Sequence, residues 1–473
     1  MSSPEPGRLA IVLHSHMPYV EGFGTWPFGE EWLFEAIATC YLPLLDVLDG
    51  PGGDALTLSL TPVLCDQLED AGAMTRFQDF IRDIRGPSHA LDVGGCRDSG
   101  RSDLAAALEL ASLDYVRSLE RFTALDDAGL LGALAPHAAW TSSATHAVLP
   151  LVATDAGVNL QLQIGIDSHD ARFGGARPWQ GGFWLPECAH SSWLDVLLDR
   201  VGVRAVCVEL TDVFGHGDPR HLRPYRTDSG PLLVGVDRAV IDLLWAPEGY
   251  PSHGAYRDYH HRTTHDHHPW ANDGSVYDRE RARGQARLHA ADFVRDVSRR
   301  VASGGLSVCA IDTELLGHWW YEGVDWLGAV LEQAAEQGLE IVHLDDALAS
   351  GMPSPADPID AEILGTTTWG TPRDLSTWDG PQVADLVWQA RAAELDVVAL
   401  GTTASPRAIR ELLALQSSDW AFMVTRDLAG DYPVERARDH HAALRAELSS
   451  LGSGDPALRN LSPYATVAAL LAQ

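Results

Sequence analysis

Two acidic residues in this 473-residue chain stand where chemistry is possible, Glu187 and Asp312. Glu187 ends the run Gly182-Phe183-Trp184-Leu185-Pro186 and precedes Cys188-Ala189-His190. Asp312 ends Leu306-Ser307-Val308-Cys309-Ala310-Ile311, ahead of His318, Trp319, Trp320 and Tyr321. Each has an ordinary reading. Glu187 could cap the helical stretch "SSWLDVLLD", which the helix macrodipole favours. Asp312 could be a cap or half of a surface ion pair. As a pair roughly 5–5.5 Å apart, two such carboxylates could instead be the nucleophile and acid/base of a retaining glycosidic cleavage. One of them must then keep its proton at neutrality, and an apolar aromatic surround favours that.

His14 and His16 follow another apolar run, "RLAIVL". Alternate residues of a strand share a face, so both rings can enter one cavity. They could hydrogen-bond sugar hydroxyls. They could also begin an HxH metal centre, with Asp312 or His146 completing the ligands. The tract "YHHRTTHDHH" (259–268) is polar and loop-like, and solvated surface histidine is the expectation there. Of 15 tryptophans, Trp26, Trp184, Trp245, Trp319, Trp320, Trp369, Trp378 and Trp420 lie near acids or polar turns. Core packing accounts for any one of them. Grouped near candidate acids they suit a carbohydrate, since an indole face packs on sugar C–H groups while its N–H donates.

These residues need a scaffold. The spacing predicts strands at "RLAIVLHSHMPY", "ALTLSLTPVL", "ALAPHAAW", "LQLQIGI", "GFWLP", "AVCVEL", "PLLVGVD", "LSVCAID" and "LEIVHLDD". Helical patterns alternate with them, including "EEWLFEAIATCYLPLLDVLD" and "VDWLGAVLEQAAEQG". Residues 64–135 read as mostly helical, broken at "RGPSHALDVGG". Alternation of this kind implies an α/β fold with a parallel sheet closed as a barrel, whose reactive groups gather at strand C-terminal ends. "SGMPSPADPID" reads as a linker, dividing a barrel at 1–355 from a C-terminal helical domain at 356–473. Three amphipathic helices are expected there, at "PQVADLVWQARAAELDVVAL", "SPRAIRELLALQSSDWAFMV" and "VERARDHHAALRAELSSL".

Composition narrows the partners. With 34 Lys and Arg against 66 Asp and Glu, the formal net charge is −32, and no basic stripe is present for nucleic acid or an anionic membrane. The six scattered cysteines form no CxxC and read as reduced thiols. The N-terminus carries no signal-peptide pattern and no apolar stretch is of spanning length, so a cytoplasmic protein is expected.

Five segments together carry a family resemblance: "HSHMPYVEG", "TSSATHAVLPLV", "GFWLPECAH", "IDTELLGHWWYEG" and "TTTWGTPRDLSTWDG". The chain resembles glycoside hydrolase family 57, and within it the members that place α-1,6 branches on α-1,4-glucans. The resemblance implies a (β/α)7 barrel of parallel strands, a small inserted helical domain and a C-terminal all-helical domain. It implies a retaining double displacement with no metal and no cofactor, acting on an α-1,4-glucan donor and acceptor, in a monomer or weak homodimer. Glu187 would be the nucleophile and Asp312 the general acid/base. His14, His16 and His146 would hold the sugar, Trp26, Trp245, Trp320, Trp369 and Trp378 would line the glucan site, and Asp419 and Trp420 would help close the cleft. One departure matters. "DVFGHGDPRHLRPYRTDSGPLLVGV" is short beside the long loop that branching members carry, and Tyr225 is its one tyrosine. That leaves hydrolysis by water as the alternative outcome of the same cleavage.

Overall fold

The computed structural model describes residues 7–25, 27–351, 356–450, 460–466 and 468–469. Seven parallel strands form its centre: β1 (Arg8–Ser15), β2 (Thr57–Leu60), β3 (Ala138–Ser142), β4 (Gly182–Trp184), β5 (Ala205–Val208), β6 (Leu232–Gly235) and β7 (Leu306–Asp312). They pair in the order β7-β1-β2-β3-β4-β5-β6. Just beyond β6, the Asp237 amide donates to the Val308 carbonyl at 2.9 Å, so the last strand meets the first and the curled sheet nearly closes. Such strands are covered on both sides and read as continuous apolar runs. In β1, Leu9, Ile11, Val12 and Leu13 are all buried, each worth about 1.5–3 kcal/mol of apolar transfer.

The register sets the floor of the site. His14 lies opposite Asp312 on one side and Ser59 on the other. Ser59 pairs with Trp140, and Ser142 with Trp184.

Between β2 and β3 the described chain is mainly helical, ending in long Ser102–Thr123 and short Gly129–Leu134. The break expected at "RGPSHALDVGG" is absent. Phe80–Arg85 forms a π-turn and runs straight into the helix Gly86–Asp98, and Pro87 follows directly on that π-turn. Two strand expectations also fail. "LQLQIGI" lies inside the helix α1 (Asp155–Phe173), started by Thr154, whose side chain accepts the Gly157 N–H. Its alternating Gln and Leu mimic a strand, but the helix is buried on most sides, so polar spacing carries no periodic signal. "LEIVHLDD" makes one isolated bridge, Ile341 to Leu9, and then turns into the helix Leu344–Ala349.

Beyond the barrel come α2 (Ala384–Leu400), α3 (Pro406–Leu415), α4 (Ser418–Thr425) and α5 (Tyr432–Ser450). The single helix expected over "SPRAIRELLALQSSDWAFMV" is two, parted at Gln416–Ser417. The core of this region, with Val397, Leu412 and Leu444, includes Leu160 and Ile164 of α1 and Ala144 after β3. The helices therefore sit over the C-terminal end of β3. The centre of the expected linker, residues 352–355, lies outside the described residues.

Candidate active site

Glu187 sits in the tight turn that follows β4. Its φ is 61°, and its neighbour Cys188 and the residue His146 after β3 also take positive φ, 48° and 59°. Non-glycine residues held there cost about 1–3 kcal/mol each and need surrounding structure to hold them. At Glu187 the carbonyl accepts two hydrogen bonds from the strand-like segment Thr366–Thr367 and its continuation: Trp369 N at 3.1 Å and Thr368 Oγ1 at 2.8 Å. The side chain is fastened too. Trp369 Nε1 donates to Oε2 at 3.2 Å and Ser418 Oγ to Oε1 at 3.2 Å. Glu187 does not cap the following helix Asp195–Arg200, whose N-cap is Leu194.

Three histidines form one wall. His14 stacks on Trp184 with centroids 4.5 Å apart, and His16 stacks on His146 at 3.9 Å. His14 and His146 face each other through their Nε2 atoms at 3.0 Å. Burial, with the other rings' charge, holds both well below the ordinary imidazole value, so both are neutral. His16 differs. Burial opposes its charge, but Asp419, Glu314 and Glu187 raise it overall. Its Nε2 meets Asp419 Oδ2 at 2.9 Å. Burial would raise Asp419, yet His16, His146 and a bond from Ser417 bring it down to about 2. His16–Asp419 is thus an ion pair across barrel and helical region. Among the described residues, the donor atoms that converge within 4.8 Å are those of His16, His146 and Asp419. An HxH metal centre on His14 and His16 is not what assembles, because His14 points its Nε2 at His146 and its Nδ1 at Ser59.

Asp312 ends β7 beside His14 in register. Burial raises its carboxyl to about 7, helped by Glu314 and Asp419 and opposed by His16. Burial and then the charge of Asp312 raise Glu187 to about 7 as well, against the Trp369 hydrogen bond. The charge of Asp312 therefore reaches Glu187. Glu314, which sequence reading passed over, is a third buried carboxyl raised to about 7, chiefly by desolvation. It accepts Tyr41 O–H at 2.5 Å and His16 N–H at 3.1 Å. Ser418 and Ser59 were also passed over. Glu314 stands two residues past Asp312 and Ser418 next to Asp419, so proximity to a named residue was the available signal.

The tryptophans divide. Trp369 is half-buried against Glu187 and meets Trp184 edge-on at 5.0 Å. Trp245 is 40% exposed and Trp319 41%, with rings 6.0 Å apart, so their faces are open. Trp320, Trp378 and Trp420 are corrections: all three are fully buried and present no face to a sugar. Trp320 packs among Tyr256 and Trp326, Trp378 against Gly370, and Trp420 donates its N–H to the Ala414 carbonyl at 2.8 Å. Trp26 lies outside the described residues. Tyr225 is buried against Phe214 and donates to the Arg220 carbonyl at 3.0 Å, away from the acids. The histidine tract is only partly solvated. His260 and His261 are exposed, but His267 is buried and stacks on His89 at 3.5 Å.

The family model described as glycosyl hydrolase family 57 matches residues 139–355, and one described as 1,4-alpha-glucan branching enzyme, C-terminal, matches residues 383–469. A Mycobacterium tuberculosis protein described as a probable 1,4-alpha-glucan branching enzyme is 33% identical over 96% of this chain and 94% of its own. A Thermococcus kodakarensis 1,4-alpha-glucan branching enzyme is 29% identical, over 92% of this chain and 73% of its own. The crystal structure of a family 57 branching enzyme from Pyrococcus horikoshii superposes with a TM-score of 0.88 at 28% identity, over 99% of this chain and 97% of that one.

Proposed function

The chain belongs to glycosyl hydrolase family 57, and on that premise we propose that it is an enzyme that cuts an α-1,4-glucan chain and rejoins the freed piece through an α-1,6 bond. One observation carries the reading above the rest. Of two carboxyls at the ends of β4 and β7, one lies in the field of the other, and hydrogen-bond donors serve Glu187.

That asymmetry assigns the roles. Donors favour the charged form of a carboxyl, and neighbouring acids favour its protonated form. Glu187 has Trp369 and Ser418, which favour its ionised form, and it attacks the anomeric carbon. Asp312 faces Glu314 and Asp419, so it keeps the proton and gives it to the departing glycosidic oxygen. The product is a glycosyl ester on Glu187, and Asp312 is left ionised. Asp312 then takes the proton of an acceptor's 6-hydroxyl as that oxygen displaces Glu187, and two inversions retain the α configuration. His14 and His146 spend both ring nitrogens on Ser59, each other and Ser418, so they shape the wall beside the sugar, while the charged His16 keeps Nδ1–H, which has no protein partner, for a sugar hydroxyl. Trp369 lies against the nucleophile, and Trp245 with Trp319 offers an aromatic platform for a more distant glucose unit.

The catalytic barrel is taken as residues 1–355, with the helical insertion at 64–135, and the helical region as 356–473. Among the described residues no helix is long and apolar enough to cross a membrane, and a cytoplasmic place beside glycogen-like polymer suits the proposed substrate. Incubation with amylose tests the activity. New chains released by a debranching enzyme, with little gain in reducing ends, are the expected result. Reducing ends rising without branches would make the protein a hydrolase instead.

A further inference from the structure

Ser418 opens α4 in the helical region, yet its hydroxyl reaches into the barrel site. It touches two partners there, Glu187 Oε1 at 3.2 Å and His146 Nδ1 at 2.9 Å. A hydroxyl has one proton, and an ionised carboxylate can only accept. With Glu187 ionised, the Ser418 proton goes to Glu187, and its oxygen must accept from His146. His146 is then protonated on Nδ1. Being neutral, it bears a lone pair on Nε2, which is 3.0 Å from His14 Nε2. His14 must therefore carry its proton on Nε2 and accept, on Nδ1, from Ser59 Oγ at 3.2 Å. Every bond in the chain points the same way.

We infer that Ser418 is a positioning residue for the nucleophile, the last link of a one-way hydrogen-bond chain Ser59–His14–His146–Ser418–Glu187. The claim that this chain serves catalysis rests on Glu187 being the nucleophile, as proposed above. The chain starts in β2, crosses β1 and the turn after β3, and leaves the barrel for the helical region before it returns to Glu187. Its backbone is braced, because Ser418 N–H donates to the His146 carbonyl at 3.1 Å. Aligned dipoles among buried groups reinforce one another and favour negative charge at the accepting end. The helical region thus does more than border the cleft: through Ser418 it favours the ionised form of Glu187 against burial, Asp312 and Asp419, the acids that face it, and beside His16 and His146.

Two measurements test this. The first needs no activity: nitrogen-15 NMR of the histidines in the wild-type protein near neutral pH reads their tautomers. His146 protonated on Nδ1 and His14 on Nε2 is expected, and His146 protonated on Nε2 overturns the chain. The second compares Ser418→Ala and Ser418→Thr on amylose across pH. Losing the donor should lower kcat roughly tenfold to a hundredfold, with KM changed less than about threefold. Glu187 should then protonate more readily, so the loss should be greatest on the acid side. Threonine keeps the hydroxyl and should restore kcat to within about threefold of wild type. A loss equal at every pH, or Ser418→Ala within twofold of wild type, contradicts the positioning role. An inactive wild type with the predicted tautomers would refute the activity and leave the chain standing.

Discussion

Glu187 and Asp312 are both raised to about 7, and burial is the first cause for each. What surrounds them differs in kind. Glu187 is an outsider to the regular barrel. It sits in a left-handed turn, its carbonyl is held by Thr368 and Trp369, and its carboxylate by Trp369 and Ser418. All three partners come from after residue 360. Asp312 is an ordinary strand end, placed by its register with His14, and has Glu314, Asp419 and His16 about it. The comparison teaches that the two acids share burial, a neighbouring carboxylate, Asp419 and His16, and that the donors Trp369 and Ser418, present on Glu187 alone, separate nucleophile from acid.

Removing each carboxyl should break this symmetry most strongly. Glu187→Gln should lose at least about a thousandfold in kcat on amylose, since no other group forms the ester. Asp312→Asn should lose roughly 10²–10⁴-fold. A maltosyl fluoride donor separates the two, because fluoride leaves without a proton. Ester formation, read as fluoride release, should recover in Asp312→Asn and stay lost in Glu187→Gln. Equal behaviour of both variants would erase the distinction.

Glu314 gives a smaller and sharper effect. Its charge helps to hold the Asp312 proton, so Glu314→Gln lowers the Asp312 value. Asp312 must be protonated for the first step, so activity falls as pH rises through that value. The alkaline limb of kcat/KM should therefore move to lower pH, while the acid limb, set by Glu187, moves less. A shift confined to the acid limb would put the two acids in the wrong roles. The smallest effect lies outside the pair. Trp245→Ala should raise KM a few-fold with kcat nearly unchanged, since it removes binding remote from the bond. Initial rates over a range of amylose concentrations check this.

Much of the site was legible because its parts are local. A parallel strand announces itself as an apolar run, and the polar residue that ends it lies at the barrel mouth. His14, Glu187 and Asp312 all have that form. What was illegible depends on contacts distant in sequence. Ser418 is an unremarked serine until α4 is seen to begin at the break after Leu415 and to aim it 231 residues back at Glu187. A tryptophan beside polar residues suits the core as well as a cleft, and sequence does not say which way an indole points. Trp320 points inward and its neighbour Trp319 outward. "LQLQIGI" failed for a related reason, since a helix buried on nearly all sides tolerates a strand-like pattern.

The central claim is that Glu187, and no other group, takes the glycosyl unit. It is tested most directly by trapping that ester. Asp312→Asn is given a maltosyl fluoride donor, quenched in acid, digested and examined by mass spectrometry. The account predicts a peptide heavier by one maltosyl unit, with the modification on Glu187. A modification on Asp312, Glu314 or Asp419, or none despite fluoride release, would contradict it.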